Sequence, residues 1–479
     1  MITTPPSKLK QLSLFLGPIL CIVSALLPSN IFPNPDAQLV IAIGVWMIVW
    51  WASETVHIAV TALLPMILLP LTGIMDIKET TAPYSNPMVY LFMGGFMIAL
   101  AMEKWNLHRR IALSLIRIIG SSANRIILGF MVATALLSMW ISNTATTVMM
   151  LPIATSVINW IKEDEVHTNG NFKYFTISLL LGIAYAANIG GIATLIGTPP
   201  NIVTHGILTD TYDTEISFLK WMVWGVPVSV ILLVITYWFL TRWLYPNDMQ
   251  EIKNAQTVFD LELQKLGKLT SQEKLVLAVF STTALLWISR SVINQFSGLP
   301  LTDTGIAMTG AVLLFVLPAN RKEGTFLLCW KDTKKLPWGI LILFGGGLSM
   351  AGALSKTGVI QVIGDWVQLH AGFNTMILIF VLIAVMVFMT EVMSNVALTS
   401  IFIPVVASIA IGLGEDLLEF VVPITMAASC AFMLPMATPP NAIVFSNGDI
   451  HVSQMMRTGI WLNLLSIVVL GILAQMGGV

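Results

Sequence analysis

Charge is what this 479-residue chain has least of: 10% of its residues are Asp, Glu, Lys or Arg, against roughly 25% in a soluble globular domain. A soluble protein is thereby excluded. The 24 basic and 25 acidic residues leave a net charge of −1, so the basic footprint that nucleic-acid binding requires is missing. Three cysteines, Cys21, Cys329 and Cys430, are too few for a disulfide framework or a structural zinc site. We read them as free, mostly buried packing residues. No Cys/His metal set, no Ser-His-Asp triad and no phosphate-binding glycine loop is readable. The expectation is a non-enzyme with no cofactor beyond coupling ions.

What the chain has in excess is apolar sequence. Hydrophobic residues make up 56%, and apolar runs recur from Leu12 to Leu473 at the length, about 20 residues, that spans a bilayer. The fold class is all-α polytopic membrane protein. The first run, 12–27, follows Lys8 and Lys10 but precedes no small-x-small cleavage site, so it reads as a spanning helix and not as a signal peptide. Further crossings are expected at 38–52, 56–75, 87–103, 174–207 (broken), 220–242, 273–294, 303–318, 337–353, 421–447 (broken) and 458–478, eleven transmembrane helices in all. Segments 126–163 and 376–413 each carry a polar break at the midpoint and read as two re-entrant hairpins. With the N-terminus inside, only Lys78, Lys220, Arg290 and Lys356 of the 24 basic residues fall outside. That bias supports the parity and puts the C-terminus outside. It also makes 243–272, with Asp248, Glu251, Lys253, Asp260, Glu262 and Lys265, the largest cytoplasmic loop.

The sequence answers itself at an offset of about 250 residues. Ile58-Ala-x-Thr61 with Pro70 matches Ile306-Ala-x-Thr309 with Pro318, and Phe92-Met-Gly94-Gly95 matches Phe344-Gly-Gly346-Gly347. Ser142-Asn143 matches Ser394-Asn395, each followed by a proline (Pro152, Pro404), and Thr198-Pro-Pro-Asn201 matches Thr438-Pro-Pro-Asn441. Each copy holds five crossings and one hairpin. Five is odd, so the copies are expected to be inverted, as in secondary transporters whose broken helices meet near the midplane.

Non-helical backbone at membrane depth is tolerated only where it lines a cavity or binds something. The two Ser-Asn tips and the two Thr-Pro-Pro-Asn turns are four such breaks. Proline ends the incoming helix and suits the first turn of the outgoing one, so each break offers helix N-termini that attract anions. The same breaks leave carbonyl, Ser, Thr and Asn oxygens, a neutral hard-ligand set suited to an alkali cation, and no carboxylate or imidazole lies within them. Amides for an anion beside oxygens for a cation are what cation-coupled anion uptake needs. Glu391, three residues before Ser394, carries either a coupling proton or a structural charge that holds the tip. Glu54, Glu103, Lys104 and Lys356 fall near span ends, where snorkelling accounts for them. His57 reads as a packed residue, and the glycines at 94–95 and 345–347 as close-packing positions.

At these residues the sequence resembles the divalent anion:sodium symporter family of sodium-coupled dicarboxylate and citrate carriers. The motifs are the two Ser-Asn tips, Glu54 with Val60-Thr-Ala-Leu-Leu-Pro65, the Phe344-Gly-Gly-Gly347 stretch, and Ser429-Cys-Ala-Phe432-Met-Leu-Pro435-Met-Ala437-Thr-Pro-Pro-Asn441-Ala-Ile-Val444. The resemblance implies a homodimer in the cytoplasmic (inner) membrane working as an elevator. It implies scaffold parts at 1–120 and 273–365, transport parts at 121–245 and 366–479, and a cytoplasmic linker at 246–272. Substrate carboxylates would be held by Asn143, Thr144, Ser394, Asn395 and Val396, with Thr198, Pro199, Thr438 and Pro439 of the turns. One sodium site would match Ser138, Ser142, Asn143 and Gly197, and a second Thr390, Met393, Asn395 and Ala437. The chain departs from some relatives at Val396, where a second threonine stands; this puts a symmetric grip on a four-carbon diacid in doubt.

The reading that follows is sodium-coupled symport of succinate, malate, fumarate or citrate. The alternatives are a sodium-independent dicarboxylate exchanger, which the absence of Lys, Arg and His at the matched sodium positions argues against, and a sulfate symporter. An intramembrane hydrolase is excluded because Ser142 and Ser394 have no neighbouring base in sequence.

Overall fold

A computed structural model describes residues 8–28, 34–120, 122–163, 171–249, 255–362, 365 and 374–475. Glu251 and Lys253 of the linker, the boundaries expected at 121 and 366, and residues 476–478 of the final span lie outside the described residues.

Nine helices among the described residues are long and apolar enough to cross a bilayer: Pro35–Ser53, Ile77–Lys104, Asn143–Lys162, Phe172–Ile192, Phe218–Leu244, Ser271–Ser297, Trp338–Lys356, Asn395–Leu413 and Val452–Gln475. Two of them are return arms of the expected hairpins. The crossings expected at 12–27, 56–75, 303–318 and 421–447 correspond to shorter apolar helices. For 56–75 the reason is local. Leu63 N donates to Val60 O, tightening the turn after Ile58–Thr61, and Pro65 has no N–H with which to carry the α-helix onward. Helix therefore resumes only at Leu64–Leu71.

Both hairpins form. The first pairs Ala123–Ser138 with Asn143–Glu163 and the second pairs Thr375–Met389 with Asn395–Leu413. Both broken helices also form, as Phe172–Ile192 followed by Pro199–Tyr212, and Leu417–Ala427 followed by Pro439–Phe445. A helix apolar on every side belongs in the interior, and Phe172–Ile192 is buried at every residue from Phe175 onward. It packs on the first hairpin so tightly that a Cβ on Gly190 would collide with the Ala135 backbone. The outgoing pieces are exchanged: Pro439–Phe445 packs on Asn143–Glu163 of the first hairpin, and Pro199–Tyr212 on Asn395–Leu413 of the second.

The glycines behave as packing positions. A Cβ on Gly94 would lie 2.8 Å from the Ala307 carbonyl carbon, and one on Gly346 would strike the Ala62 backbone. His57 caps Ile58–Thr61 by accepting from Ala59 N at 3.2 Å. Lys104 and Lys356 do more than snorkel: Lys104 pairs with Asp332 and Lys356 with Glu79, at 2.8 and 2.7 Å. The cysteine expectation is corrected in part. Cys430 is buried, but Cys21 is half-buried and Cys329 exposed, because Cys329 lies in the polar turn that precedes Trp330–Lys335 and its N–H is bonded by Asp332. The small β-hairpin of Pro318–Asn320 with Thr325–Phe326 was not anticipated. Nor was the amphipathic helix Leu107–Ile119, whose Arg109 and Arg117 pair with Glu262 and Asp260 of Ala255–Leu266 and whose Arg110 pairs with Glu273 of Ser271–Ser297.

Candidate functional site: two hairpin tips and two helix breaks

The first hairpin turns over four residues between Ser138 and Asn143. Ser138 is wholly buried, and its Oγ lies 2.6 Å from Asn143 Oδ1 and 2.7 Å from the Ala187 carbonyl of the first broken helix. One hydroxyl hydrogen cannot serve two acceptors at once. The Asn143 amide end faces acceptors alone, with the Ala187 and Gly197 carbonyls at 3.2 Å beyond Ser138 Oγ. With its nitrogen turned in, the amide donates to all three. With its oxygen turned in, the four atoms form an oxygen cluster that a hard cation satisfies. Close approach is made possible by two glycines: a Cβ on Gly191 would lie 2.7 Å from Asn143 Oδ1, and one on Gly197 2.5 Å from Gly191 O.

The second tip repeats the arrangement. Thr390, also wholly buried, places its Oγ1 2.6 Å from Asn395 Oδ1 and 2.9 Å from the Ala428 carbonyl of the second broken helix. Again three oxygens share one hydrogen. Met393 is half-buried just before the tip, and Ala437 is buried at the end of the second break, where its N–H donates to Leu434 O.

Both tips also present helix N-termini, whose first N–H groups have no intrahelical partner. Ser142 Oγ accepts from Ala145 N at 3.2 Å, which leaves the N–H groups of Asn143 and Thr144 without a side-chain cap. Ser394 makes no such cap, so the N–H groups of Asn395, Val396 and Ala397 are all left over. Thr144 is exposed, and Ser142, Ser394 and Val396 are half-buried. Thr198 and Thr438 are buried at the heads of the two outgoing helices, each followed by a proline (Pro199, Pro439) that is the first helical residue.

Three further side chains shape the site: Asn201 and Asn441, known from the sequence only as the ends of the two turns, and Asn188, which was not singled out. Asn201 Nδ2 donates to the Gly191 and Thr194 carbonyls at 3.1 and 2.8 Å, and Asn441 Nδ2 donates to Ala431 and Leu434, both at 3.1 Å. Each staples its own unwound segment shut. The last Asn of Thr-Pro-Pro-Asn was the available signal, because a buried amide must find partners. Asn188 Nδ2 donates to Thr438 Oγ1 at 3.0 Å and joins the two halves. Its only signal is polarity inside an apolar run. Glu391 resolves in favour of a holding role: its carboxylate accepts from Phe432, Met433 and Leu434 N at 2.8, 2.9 and 3.0 Å and from Asn463 Nδ2 at 2.7 Å.

Two packed hairpins, two interrupted helices and oxygen clusters at their junctions define a polytopic membrane protein of transporter type. The fold is similar to two solved structures, the YdaH transporter of Alcanivorax borkumensis (TM-score 0.63, 12% identical, 98% of this chain and 99% of that one) and MtrF of Neisseria gonorrhoeae (TM-score 0.60, 12% identical, 99% and 95%). At sequence level the model of the sodium:sulfate symporter transmembrane region matches residues 8–478, and the chain belongs to that family. It is 41% identical over 468 residues to the sodium-dependent dicarboxylate transporter SdcS of Staphylococcus saprophyticus, covering 95% of this chain and 89% of that one. It is 40% identical over 476 residues to SdcS of Staphylococcus aureus strain bovine RF122, covering 97% and 91%. The resemblance carried by the Ser-Asn tips and the Thr-Pro-Pro-Asn turns is borne out at the level of family.

Proposed function

We propose that the protein is a sodium-coupled symporter of dicarboxylates such as succinate, malate and fumarate, with citrate as a further candidate. The observation that carries this reading is the oxygen cluster Thr390–Asn395–Ala428, matched at the first tip by Ser138, Asn143 and Ala187 when the Asn143 amide turns its oxygen inward. Each is a neutral hard-ligand set at a helix N-terminus that keeps N–H groups without a side-chain cap, so cation and carboxylate meet at one tip. Sodium is held at one tip by Ser138, Ser142, Asn143 and Gly197, and at the other by Thr390, Met393, Asn395 and Ala437. The substrate carboxylates lie against Asn143, Thr144, Ser394, Asn395 and Val396, closed in by Thr198, Pro199, Thr438 and Pro439. Relatives named sodium-dependent dicarboxylate transporters support a carboxylate over sulfate.

The matching hydrogen bonds at the two tips support an inverted repeat. On this reading the hairpins and broken helices travel together as an elevator against a scaffold of 1–120 and 273–365, in a homodimer of the inner membrane with its N-terminus inside. An apolar cavity of about 180 Å³, lined by Met47, Trp51, Met350, Leu354, Ile401 and Pro404, lies in the seam between those parts. The apolar lining there suits sliding, while at another point of the seam Arg290 of the scaffold pairs with Glu215 of the transport part at 3.1 Å.

The test is uptake of radiolabelled succinate into proteoliposomes with an empty lumen, under an inward sodium or a matched potassium gradient. Uptake with sodium alone supports symport. Uptake only after the lumen is preloaded with dicarboxylate makes the protein an exchanger and overturns the cation assignment.

A further inference from the structure

An apolar groove that shares no residue with the tips or the breaks is enclosed by three helices, Phe218–Trp238, Leu417–Ala427 and Val452–Gln475. Its volume is about 370 Å³, and Val223, Pro227, Ile231, Val422, Pro423 and Ile472 are among its walls. That is within the range of ligand pockets, roughly 300–1,000 Å³. Val223, Ile231 and Ile472 are 49, 46 and 50% exposed, so the groove opens to the surface of the bundle, where lipid chains lie. Its shape follows from two prolines. Pro227 and Pro423 each stand inside a helix, where the ring removes an N–H and bends the helix. The bent walls leave a gap that straight helices would close.

Each proline also releases the carbonyl four residues before it, so those of Val223 and Glu419 lose their α-helical partners. Both residues line the groove. A carbonyl left unmet beside lipid is costly, and N–H donors are what would satisfy it. Glu419 is also the one charged residue of the lining. Lys220 stands one turn before Trp224, another residue of the lining, and holds its ammonium 5.4 Å from the centroid of that ring. Lys220 and Glu419 are both half-buried in the first turns of their helices. Neither enters an ion pair among the described residues, whereas Lys104, Arg290 and Lys356 near other span ends all do. The slot therefore carries two opposite charges that are not spent on each other.

We infer that this groove holds an acyl chain of a phospholipid whose head carries a primary ammonium, the phosphatidylethanolamine class. Along Phe218–Trp238 the wall runs from Val223 to Ile231, a rise of about 12 Å. This is less than half of the ~30 Å hydrocarbon core, so the chain stays within one leaflet. The phosphate lies toward Lys220, and the ammonium offers its three N–H groups to the Glu419 carboxylate and the released carbonyls. An anionic head without an ammonium meets like charge at Glu419. A quaternary ammonium has no N–H to give, and the Trp224 face that suits it is already taken by Lys220. The selectivity is one of charge arrangement and does not depend on which solute is carried.

The test is photolabelling of the full-length protein in proteoliposomes with a phosphatidylethanolamine that bears a diazirine on its acyl chain. Adducts should concentrate in 223–231 and 469–474. Unlabelled phosphatidylethanolamine should displace them about tenfold better than phosphatidylglycerol or phosphatidylcholine with the same chains, the effect of one charge-assisted hydrogen bond. Glu419→Gln should erase that preference while labelling persists, and Ile231→Trp, which fills the groove, should remove the adducts from 469–474. Adducts spread evenly over the lipid-facing helices overturn the site, as do three lipids that compete equally. An unaltered preference in Glu419→Gln overturns it too. If Glu419→Gln does not fold, undiminished labelling of 469–474 in Ile231→Trp overturns it equally.

Discussion

Gly191 offers the sharpest test of the first tip. A methyl group there would stand 2.7 Å from Asn143 Oδ1, 3.0 Å from Nδ2 and 3.2 Å from Cγ. Ordinary contact begins at 3.4 Å, so the amide must retreat by about 0.7 Å. Hard-cation–oxygen bonds run near 2.4 Å, and a retreat of more than a quarter of that length removes a ligand. Gly191→Ala should therefore raise half-saturating sodium by about 10- to 100-fold, the range seen when one coordination shell is disturbed. That corresponds to ~1.4–2.8 kcal/mol. The assay is the sodium dependence of succinate uptake in proteoliposomes, with a thermal melt to show that the variant is folded. Gly352→Ala is the control, because no atom lies within 4 Å of the added carbon, and it should leave both readouts where they were. A folded Gly191→Ala protein with unaltered sodium dependence would refute the assignment of Asn143 to a cation.

Asn143→Ala should abolish uptake, because it removes a ligand shared by cation and anion; full activity sinks the shared site. Val396→Thr should shift preference between di- and tricarboxylates in competition assays while sodium dependence persists, and unchanged selectivity would mean that Val396 does not face the substrate. Glu391→Gln sets an amide against the N–H donors that now converge on a carboxylate, and should cost about 1–3 kcal/mol of stability by thermal melt; a melt equal to that of the unaltered chain would remove its holding role. The strap from Leu107–Ile119 to Ala255–Leu266 has a predictable pH response. The Lys265 hydrogen bond, followed by the charges of Lys265 and Arg109, holds the Glu262 carboxyl below its ordinary 4.5 against the opposing effect of burial. A depressed folded value means that the contribution is complete above 4.5 and is lost as pH falls through the lower folded value. Amide protection factors in Ala255–Leu266, which correct for the intrinsic pH dependence of exchange, should therefore stay constant from neutral pH down to 4.5 and fall only below it; loss of protection near neutrality would contradict the strap.

Sequence reading located the hairpins and both breaks because membrane-depth polarity is physically expensive, so Ser142-Asn143, Ser394-Asn395 and the two Thr-Pro-Pro-Asn turns stood out against apolar surroundings. It did not see Leu107–Ile119, whose arginines looked like loop charge; their partners Glu262, Asp260 and Glu273 lie about 150 residues away, a pairing that periodicity cannot reveal. It overextended the segment 56–75, where apolar composition was continuous but Pro65 interrupts the backbone. Ser138, Thr390 and Gly197 entered through family likeness. Their contacts with Ala187, Ala428 and Gly191 depend on chain elements brought together only by folding. Asn188 was passed over for the same reason, since it is a single polar residue in an apolar run and its partner Thr438 lies in the opposite half.

The neutrality of the tip clusters bears on how coupling works. A buried carboxylate ligand would have to return across the membrane as an unpaired charge once its ion had left, at a cost of several kcal/mol. Ser138, Asn143, Thr390 and Asn395 carry no such charge. Glu391, a nearby carboxylate, is already satisfied by three backbone N–H groups and Asn463. The cost is local instead: at the second tip three oxygens share one hydrogen, and at the first they do so when the Asn143 amide turns its oxygen inward. On the proposed reading a cation would remove that crowding and fix the turn from which the N–H groups of Asn143, Thr144, Asn395 and Val396 project, so that the carboxylate would meet an ordered tip only after sodium has bound. Linkage makes this measurable, because the factor by which sodium tightens succinate must equal the factor by which succinate tightens sodium. Calorimetric titration of each ligand with and without the other should return one coupling factor. Succinate binding that is indifferent to sodium would separate the anion site from the two oxygen clusters.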